Sequence, residues 1–183
     1  MLKVSIITVT LNSVDYLSDA LLSVSKQDYS NLEIIVIDGG STDGSLKILK
    51  DFNFIDILIS EPDEGLYHAL NKGIMKSSGD IVGFLHADDF FPQNSIVSDI
   101  VRVFNDHSHS DAVYGDLNYV SRKDISIIKR IWKSETFTPE LLKKGWMPPH
   151  PTLYVRKDWY LKYGFFDTSF KISSDYDFII KSF

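Results

Sequence analysis

Short apolar runs alternate with helical stripes along the first two-thirds of this chain. "VSIITVT" (4–10), "LEIIVI" (32–37), "IDILIS" (55–60) and "IVGFLH" (81–86) are rich in β-branched and other apolar residues, as strands covered on both faces are. Between them, Val14, Leu17, Leu21 and Val24 fall on one helical face, behind Asn12 and Ser13 as capping candidates. "SLKILKDF" (45–52) reads as a short helix and "EGLYHALNKGIMKSS" (64–78) as a longer one. Ile96, Val97, Ile100, Val101 and Phe104 make another apolar helix face, and "DAVYGD" (111–116) predicts a fifth strand. Strands alternating with helices argue for βαβ units and a mostly parallel sheet. Ligands of such sheets sit outside the carboxyl ends of the strands. Three predicted strands end there in polar groups: Thr10-Leu11-Asn12, Asp38-Gly39-Gly40 and His86-Ala87-Asp88-Asp89.

The rhythm changes after residue 116. "LNYVSRKDISIIKRIW" predicts a hairpin-like pair, "TPELLKKG" (138–145) a short helix and "PTLYVRK" (151–157) a strand. "SSDYDFIIKSF" (173–183) begins as a helix capped by Ser173 or Ser174, with Asp175 in a first turn whose dipole favours negative charge. No linker separates the halves, so residues 1–183 read as one domain, with 1–116 as its ligand-binding part and 117–183 as an extension. Phe178, Ile179, Ile180 and Phe183 have no obvious later partner, and the chain is expected to be a truncated piece.

Composition narrows the chemistry. The apolar fraction of 44% in 183 residues supports a substantial core. The formal charge is −6 and the cations look scattered, which argues against a nucleic-acid groove. No cysteine is present, excluding disulfides, thiolate zinc sites and a cysteine nucleophile. No run approaches the ~18 apolar residues of a membrane span, so a cytoplasmic protein is expected, with peripheral attachment to the inner face of a membrane left open.

The turn after the first strand, "TLNSVDY", has no glycine to admit a pyrophosphate, and no GxxxxGK[ST] loop exists. A rim with carboxylates instead of phosphate-cradling glycines holds a diphosphate through a divalent cation, bound by one or two carboxylates plus substrate oxygens. "FLHADDFFP" (84–92) brings two adjacent aspartates to the end of a buried strand. They either serve such a cation or cap the helix at 94–105.

"VSIITVTLN", "IIVIDGGSTDGS", "DEGLYHALNKGI", "GDIVGFLHADD" and "SSDYDFIIK" occur in this order across essentially the whole chain. Together they closely resemble the family 2 glycosyltransferases of the GT-A fold, within these the bacterial enzymes of O-antigen, capsule and other surface polysaccharides. The resemblance implies a Rossmann-like, mostly parallel central sheet flanked by helices, with a small antiparallel acceptor-side extension. It implies an inverting hexosyl- or N-acetylhexosaminyl-transferase that uses Mn2+ or Mg2+. The donor would be a UDP-linked sugar and the acceptor a saccharide or lipid-linked saccharide. Thr8, Thr10 and Asn12 would line the nucleotide pocket, Asp38 would accept the uracil N–H, and Gly39 and Gly40 would turn beneath the base. Ser41 and Asp43 would start the next helix, in that role or as caps only. Asp88 would contact ribose or sugar, Asp89 would ligate the metal, and Asp175 would be the base, with Asp177 second; a first-turn helix charge is the plainer reading of Asp175.

The chain departs from the family pattern at His68, where an acid commonly precedes Ala-x-Asn, and at His86, where Asn or Asp commonly precedes Ala-Asp-Asp. His86 is a ligand or a packing residue; Ser174 stands where an acid often precedes the base. "GWMPPHPT" (145–152) looks like an acceptor-side loop in which Trp146 and His150 line a cavity, or else a rigid proline turn. His107 and His109 fall in an exposed loop. A nucleotide-sugar-binding module without turnover is the alternative. A nucleotidyltransferase would need a Gly-rich, basic signature after the first strand, which "TLNSVDY" lacks.

Overall fold

The computed structural model describes residues 1–183. Strand β1 (Val4–Thr10) lies between β2 (Leu32–Asp38) and β4 (Ile81–Phe84), parallel to both, and β3 (Ile57–Ser60) continues the parallel run beyond β2. On the other side of β4 the direction reverses. β8 (Tyr154–Arg156) runs antiparallel to β4 and to β5 (Ala112–Val113), giving the order β3-β2-β1-β4-β8-β5. A separate two-stranded ribbon is made of β6 (Leu117–Ser121) and β7 (Asp124–Trp132). The helices are α1 (Leu17–Ser25), α2 (Ser45–Asp51), α3 (Leu66–Lys76), α4 (Ile96–Asp106), α5 (Pro139–Lys143), α6 (Lys157–Tyr163) and α7 (Ser174–Ser182). None is long and apolar enough to cross a membrane.

The period of two along each strand divides the core. Ile7, Val9, Ile35, Ile37, Val82 and Phe84 face α3, α6 and α7. Val4, Ile6, Ile34 and Ile81 face the other way, against Ala20 and Val24 of α1 and Val97, Val101 and Phe104 of α4. At the amino end of the sheet the buried Glu33 accepts bonds from Ser5 Oγ (2.5 Å), Ser78 N (2.8 Å) and Lys3 Nζ (2.9 Å). Burial raises its carboxyl, but these donors outweigh it and hold the pKa near 2. That group ties β1 and β2 to the turn before β4.

Several expectations are corrected. Helix α1 starts at Leu17, so Asn12 and Ser13 do not cap it. Asn12 adopts φ 52° and its Oδ1 accepts the Thr42 N–H at 2.9 Å, joining two loops of the rim. Ser173 precedes α7 with φ 68° and no side-chain cap bond, and Ser174 Oγ is buried without a partner. Helix α4 begins at Ile96 behind Ser95, so Asp88 and Asp89 are not its caps. Helix α6 and Phe166 were not anticipated. They supply the partners that α7 was expected to lack: Phe178 stacks on Tyr160 at 4.7 Å and meets Phe166 edge-on at 5.5 Å. Burying a side chain such as Phe178 stabilises by roughly 1.5–3 kcal/mol, enough to dock a short helix. Ile180 alone of the four stays largely exposed.

The junction of β4 and β8 requires a glycine. Gly83 pairs with Tyr154, and the fully buried Tyr154 ring occupies the space that a Cβ on Gly83 would need. Gly83→Ala is therefore expected to lower stability by about 1–3 kcal/mol, read as a fall in the urea midpoint at unchanged m-value.

Candidate active site

The rim at the carboxyl ends of the parallel strands carries two unlike halves. On the β1–β2 side, the register pairs Thr10 with Asp38, and the Gly39 N–H donates to the Thr10 carbonyl at 2.9 Å. Asp38 has no exposed surface. Its Oδ2 accepts from Ser60 Oγ at 2.6 Å, and its carboxylate receives the Ser41 N–H at 3.2 Å. Thr8 and Thr10 are also buried, each with an unpartnered hydroxyl. Ser41 Oγ accepts the Asn12 N–H, and Asp43 accepts the Val14 and Ser45 N–H groups. These residues knit the two loops around Gly39 and Gly40 into one ledge, with Asn12 exposed on it.

On the β4 side lies a cavity of about 310 Å³. Its walls are mostly apolar, including Leu70, Phe84, Met147, Phe166 and Phe178; polar atoms come from His86, His150, Ser173, Asp175 and the tyrosines Tyr67, Tyr160 and Tyr176. The Tyr67 hydroxyl donates to Asp175 Oδ1 at 2.8 Å, joining α3 to the first turn of α7. His150 Nδ1 stands 3.4 Å from Asp175 Oδ2, at an angle that makes no hydrogen bond. Burial, opposed by Asp175, leaves the His150 pKa below its usual value, and burial likewise lowers that of His86 against the pull of Asp88 and Asp175. Both imidazoles are thus neutral at pH 7.

Asp88 and Asp89 follow β4 just beyond His86, which lines the cavity. Neither carboxylate makes a hydrogen bond or ion pair within the chain. Burial, with Asp88 adding repulsion and His150 opposing, pushes Asp89 up to about 6. Asp88 is exposed, but a half-buried Asp89 carboxylate without a cation is costly.

Residues 5–171 match the family described as Glycosyl transferase family 2. The chain belongs to that family. The PGL/p-HBAD biosynthesis glycosyltransferase of Mycobacterium bovis is 30% identical over 183 residues, covering 98% of this chain and 69% of that protein. An uncharacterized glycosyltransferase of Haemophilus influenzae is 31% identical over 70% of this chain and 54% of its own length. Among solved structures, S. aureus TarS in complex with UDP-GlcNAc superposes with a TM-score of 0.77 at 22% identity, over 98% of this chain and 53% of TarS. The mannosyltransferase of Pyrobaculum calidifontis, in complex with GDP-Man and Mn2+, gives 0.70 at 22% identity, over 95% of this chain and 49% of that one. The chain spans about half the length of these solved structures. Its fold is the mixed α/β GT-A fold.

Within this family 2 domain, the residues singled out in the sequence separate into groups. His86, His150 and Asp175 meet at the cavity. Asp177 does not: its Oδ2 bonds Lys181 at 2.5 Å on the surface of α7. Trp146 does not line the cavity either; it packs on Tyr114 and Phe137, and its neighbour Met147 takes the wall position. His68 turns away to Asp63, at 2.9 Å, where Lys72 also bonds Asp63 and Glu61. His107 and His109 are exposed after α4. Tyr67 and Phe166 went unnoticed. Tyr67 was legible, because Tyr67, Leu70 and Ile74 share one helical face, and a buried tyrosine hydroxyl needs a partner.

No cluster of three or more His, Cys, Asp or Glu side chains converges as a metal cage. A Mg2+ or Mn2+ ion shared with a diphosphate needs only one or two carboxylates, and the uncompensated Asp88–Asp89 pair fits that donor set.

The raised carboxyl of Asp89 has a consequence for stability in the absence of metal. Between pH 3.8 and about 6 the folded chain holds a proton on Asp89 that the unfolded chain has released, so this group's contribution falls as pH rises. His86 and His150, lowered from 6.5 by burial, act in the opposite direction. Melting curves in chelator are thus expected to show the wild type losing stability relative to Asp89→Asn across that window. Parallel pH profiles for the two proteins would contradict it.

Proposed function

We propose that this domain is an inverting, metal-dependent glycosyltransferase. It moves a sugar from a nucleotide donor, UDP-linked, to a saccharide or lipid-linked saccharide in the synthesis of cell-surface polysaccharide at the cytoplasmic face of the membrane. The observation that carries the reading is the setting of Asp175. Its carboxylate is held at one oxygen by Tyr67 and stands with the other beside neutral His150, on the wall of a cavity next to the free Asp88–Asp89 pair. The nucleotide-sugar complexes of TarS and the mannosyltransferase support a nucleotide-sugar donor.

In this mechanism the Asn12–Gly40 ledge takes the nucleoside, with Asp38 bracing the turn beneath it. Asp89, aided by Asp88, would hold Mn2+ or Mg2+, which offsets the charge of the departing nucleoside diphosphate. The acceptor hydroxyl enters the cavity, Asp175 Oδ2 takes its proton, and the hydroxyl oxygen forms the new bond to the anomeric carbon as the diphosphate leaves with the bonding electrons. Inversion needs this one base and no carboxylate nucleophile. An aspartate is a weak base, so placement by Tyr67 and the cavity walls supplies much of the effect.

Asp175→Asn is expected to reduce kcat by about 10²–10⁴-fold while UDP still binds by calorimetry. UDP affinity is expected to require Mn2+ or Mg2+ and to weaken strongly in Asp89→Ala. Metal-independent UDP binding would remove the metal assignment. UDP binding with no transfer by the wild type, to any acceptor, would leave a binding module. Tyr67→Phe tests the positioning of Asp175: kcat is expected to fall by up to about 10²-fold with donor KM unchanged, while the lost hydrogen bond costs only about 1 kcal/mol of stability, seen as a small fall in melting temperature.

A further inference from the structure

The β6–β7 ribbon is unlike the rest of the chain. Eight of the nine residues of β7 are exposed, and four of these are Ile125, Ile127, Ile128 and Ile131. Ile127 and Ile128 are adjacent, and neighbouring strand residues point to opposite faces, so both faces of the ribbon carry exposed isoleucine. A ribbon built to pack on a protein core would be apolar on one face only. The same stretch, 119–133, holds five cations, Arg122, Lys123, Lys129, Arg130 and Lys133, against one acid, Asp124, in a chain whose formal charge is −6. All five cations are exposed. The Arg130 guanidinium lies over the Tyr119 ring at 5.4 Å and the Trp132 ring at 5.9 Å. Isoleucines on both faces, fringed by cations and amphipathic aromatics, suit the boundary between lipid headgroups and acyl chains.

We propose that the β6–β7 ribbon docks this domain on a membrane surface rich in anionic phospholipid. The isoleucine tips enter the boundary layer, and the lysines and arginines meet headgroup phosphates. Both ribbon edges carry unpaired backbone groups, which keeps the insertion shallow. Orientation follows from the two ends of the ribbon. At its root the Trp132 ring lies 6.4 Å from that of His150, on the wall of the cavity, and beyond it Arg122 stacks on Tyr16 at 5.0 Å, beside the donor ledge. A membrane held by this ribbon lies next to the cavity, so a lipid-linked acceptor reaches Asp175 without leaving the bilayer. The docking itself does not depend on the transferase reading.

Cosedimentation of the 183-residue chain with phosphatidylcholine vesicles and with equimolar phosphatidylcholine–phosphatidylglycerol vesicles tests it. Binding is expected only to the anionic vesicles and is expected to weaken with salt. Lys129→Glu with Arg130→Glu is expected to lower partitioning by about tenfold or more. Ile127→Ser with Ile128→Ser is expected to lower it comparably, with melting temperature and UDP binding unchanged in both variants. No binding of the wild type to anionic vesicles overturns the proposal, as does equal binding of the variants. A concentration-dependent dimer, broken by the isoleucine substitutions in the absence of vesicle binding, overturns it in favour of an interface between copies.

Discussion

The antiparallel pairing of β8 against β4 is the contact on which the site depends. Chain direction explains why. The parallel strands deliver their own carboxyl ends to the rim, but the residues that precede a parallel strand lie at the opposite edge. Because β8 runs the other way, the residues just before it, His150–Thr152, stand beside the end of β4, where His86, Asp88 and Asp89 begin. That pairing closes only because position 83 has no side chain, so that the Tyr154 ring lies directly on the β4 backbone. One glycine thus couples core packing to the meeting of two distant segments at the cavity.

A second long-range tie completes the arrangement. Asp175 is 108 residues from Tyr67 in sequence, and the hydrogen bond between them crosses from α3 to α7. Helix α7 is short, and its left-handed entry at Ser173 lacks a capping bond, so it is not stable on local terms. It is fixed by Phe178 and Ile179 in the core and by the Tyr67 bond to its first turn. The charge that a helix dipole would favour at Asp175 and the charge the proposed base requires are the same charge, so local structure and that role do not compete there.

The sequence made the parallel half of the fold legible because buried strands and amphipathic helices have strong periods. Strands 4–10 and 32–37 and the helices between the four parallel strands appear within a few residues of where the pattern puts them. The later half was harder for a physical reason. The strands expected at 111–116 and 151–157 do appear, but as β5 and β8 of only two and three residues, and their antiparallel order in the sheet is set by tertiary packing rather than by any period. The family resemblance identified Asp175, but the pattern of the chain did not reveal what holds it. Trp146 and Met147 are neighbours with similar apolarity, and which of the two faces the cavity follows from the turn after Gly145, where φ is 75°. Asp38 illustrates a different limit. A carboxylate at a strand end suggests a ligand contact, yet the same group, bonded to Ser60 and Ser41, also serves to brace the turn.

The polarity of the rim divides along the same seam as its topology. Its parallel half ends in small polar groups and glycines whose backbone bonds are satisfied within the ledge, a surface suited to a rigid, hydrophilic ligand. Its antiparallel half ends in an apolar cavity with one held carboxylate, two neutral imidazoles and an unpartnered His150 nitrogen. A cavity of that kind offers few partners to hydroxyls other than the one at the carboxylate, so the rest of a bound sugar's hydroxyls must stay turned to water. In the proposed reaction one acceptor hydroxyl meets the carboxylate, and the apolar faces of the sugar ring or its lipid meet the remaining wall. The ribbon rooted at Trp132 extends that apolar character outward from the same wall. The two halves therefore differ in character, hydrophilic at the ledge and largely apolar at the cavity. The carboxylate pair at 88 and 89 stands between the two halves, where the proposed divalent cation would compensate it.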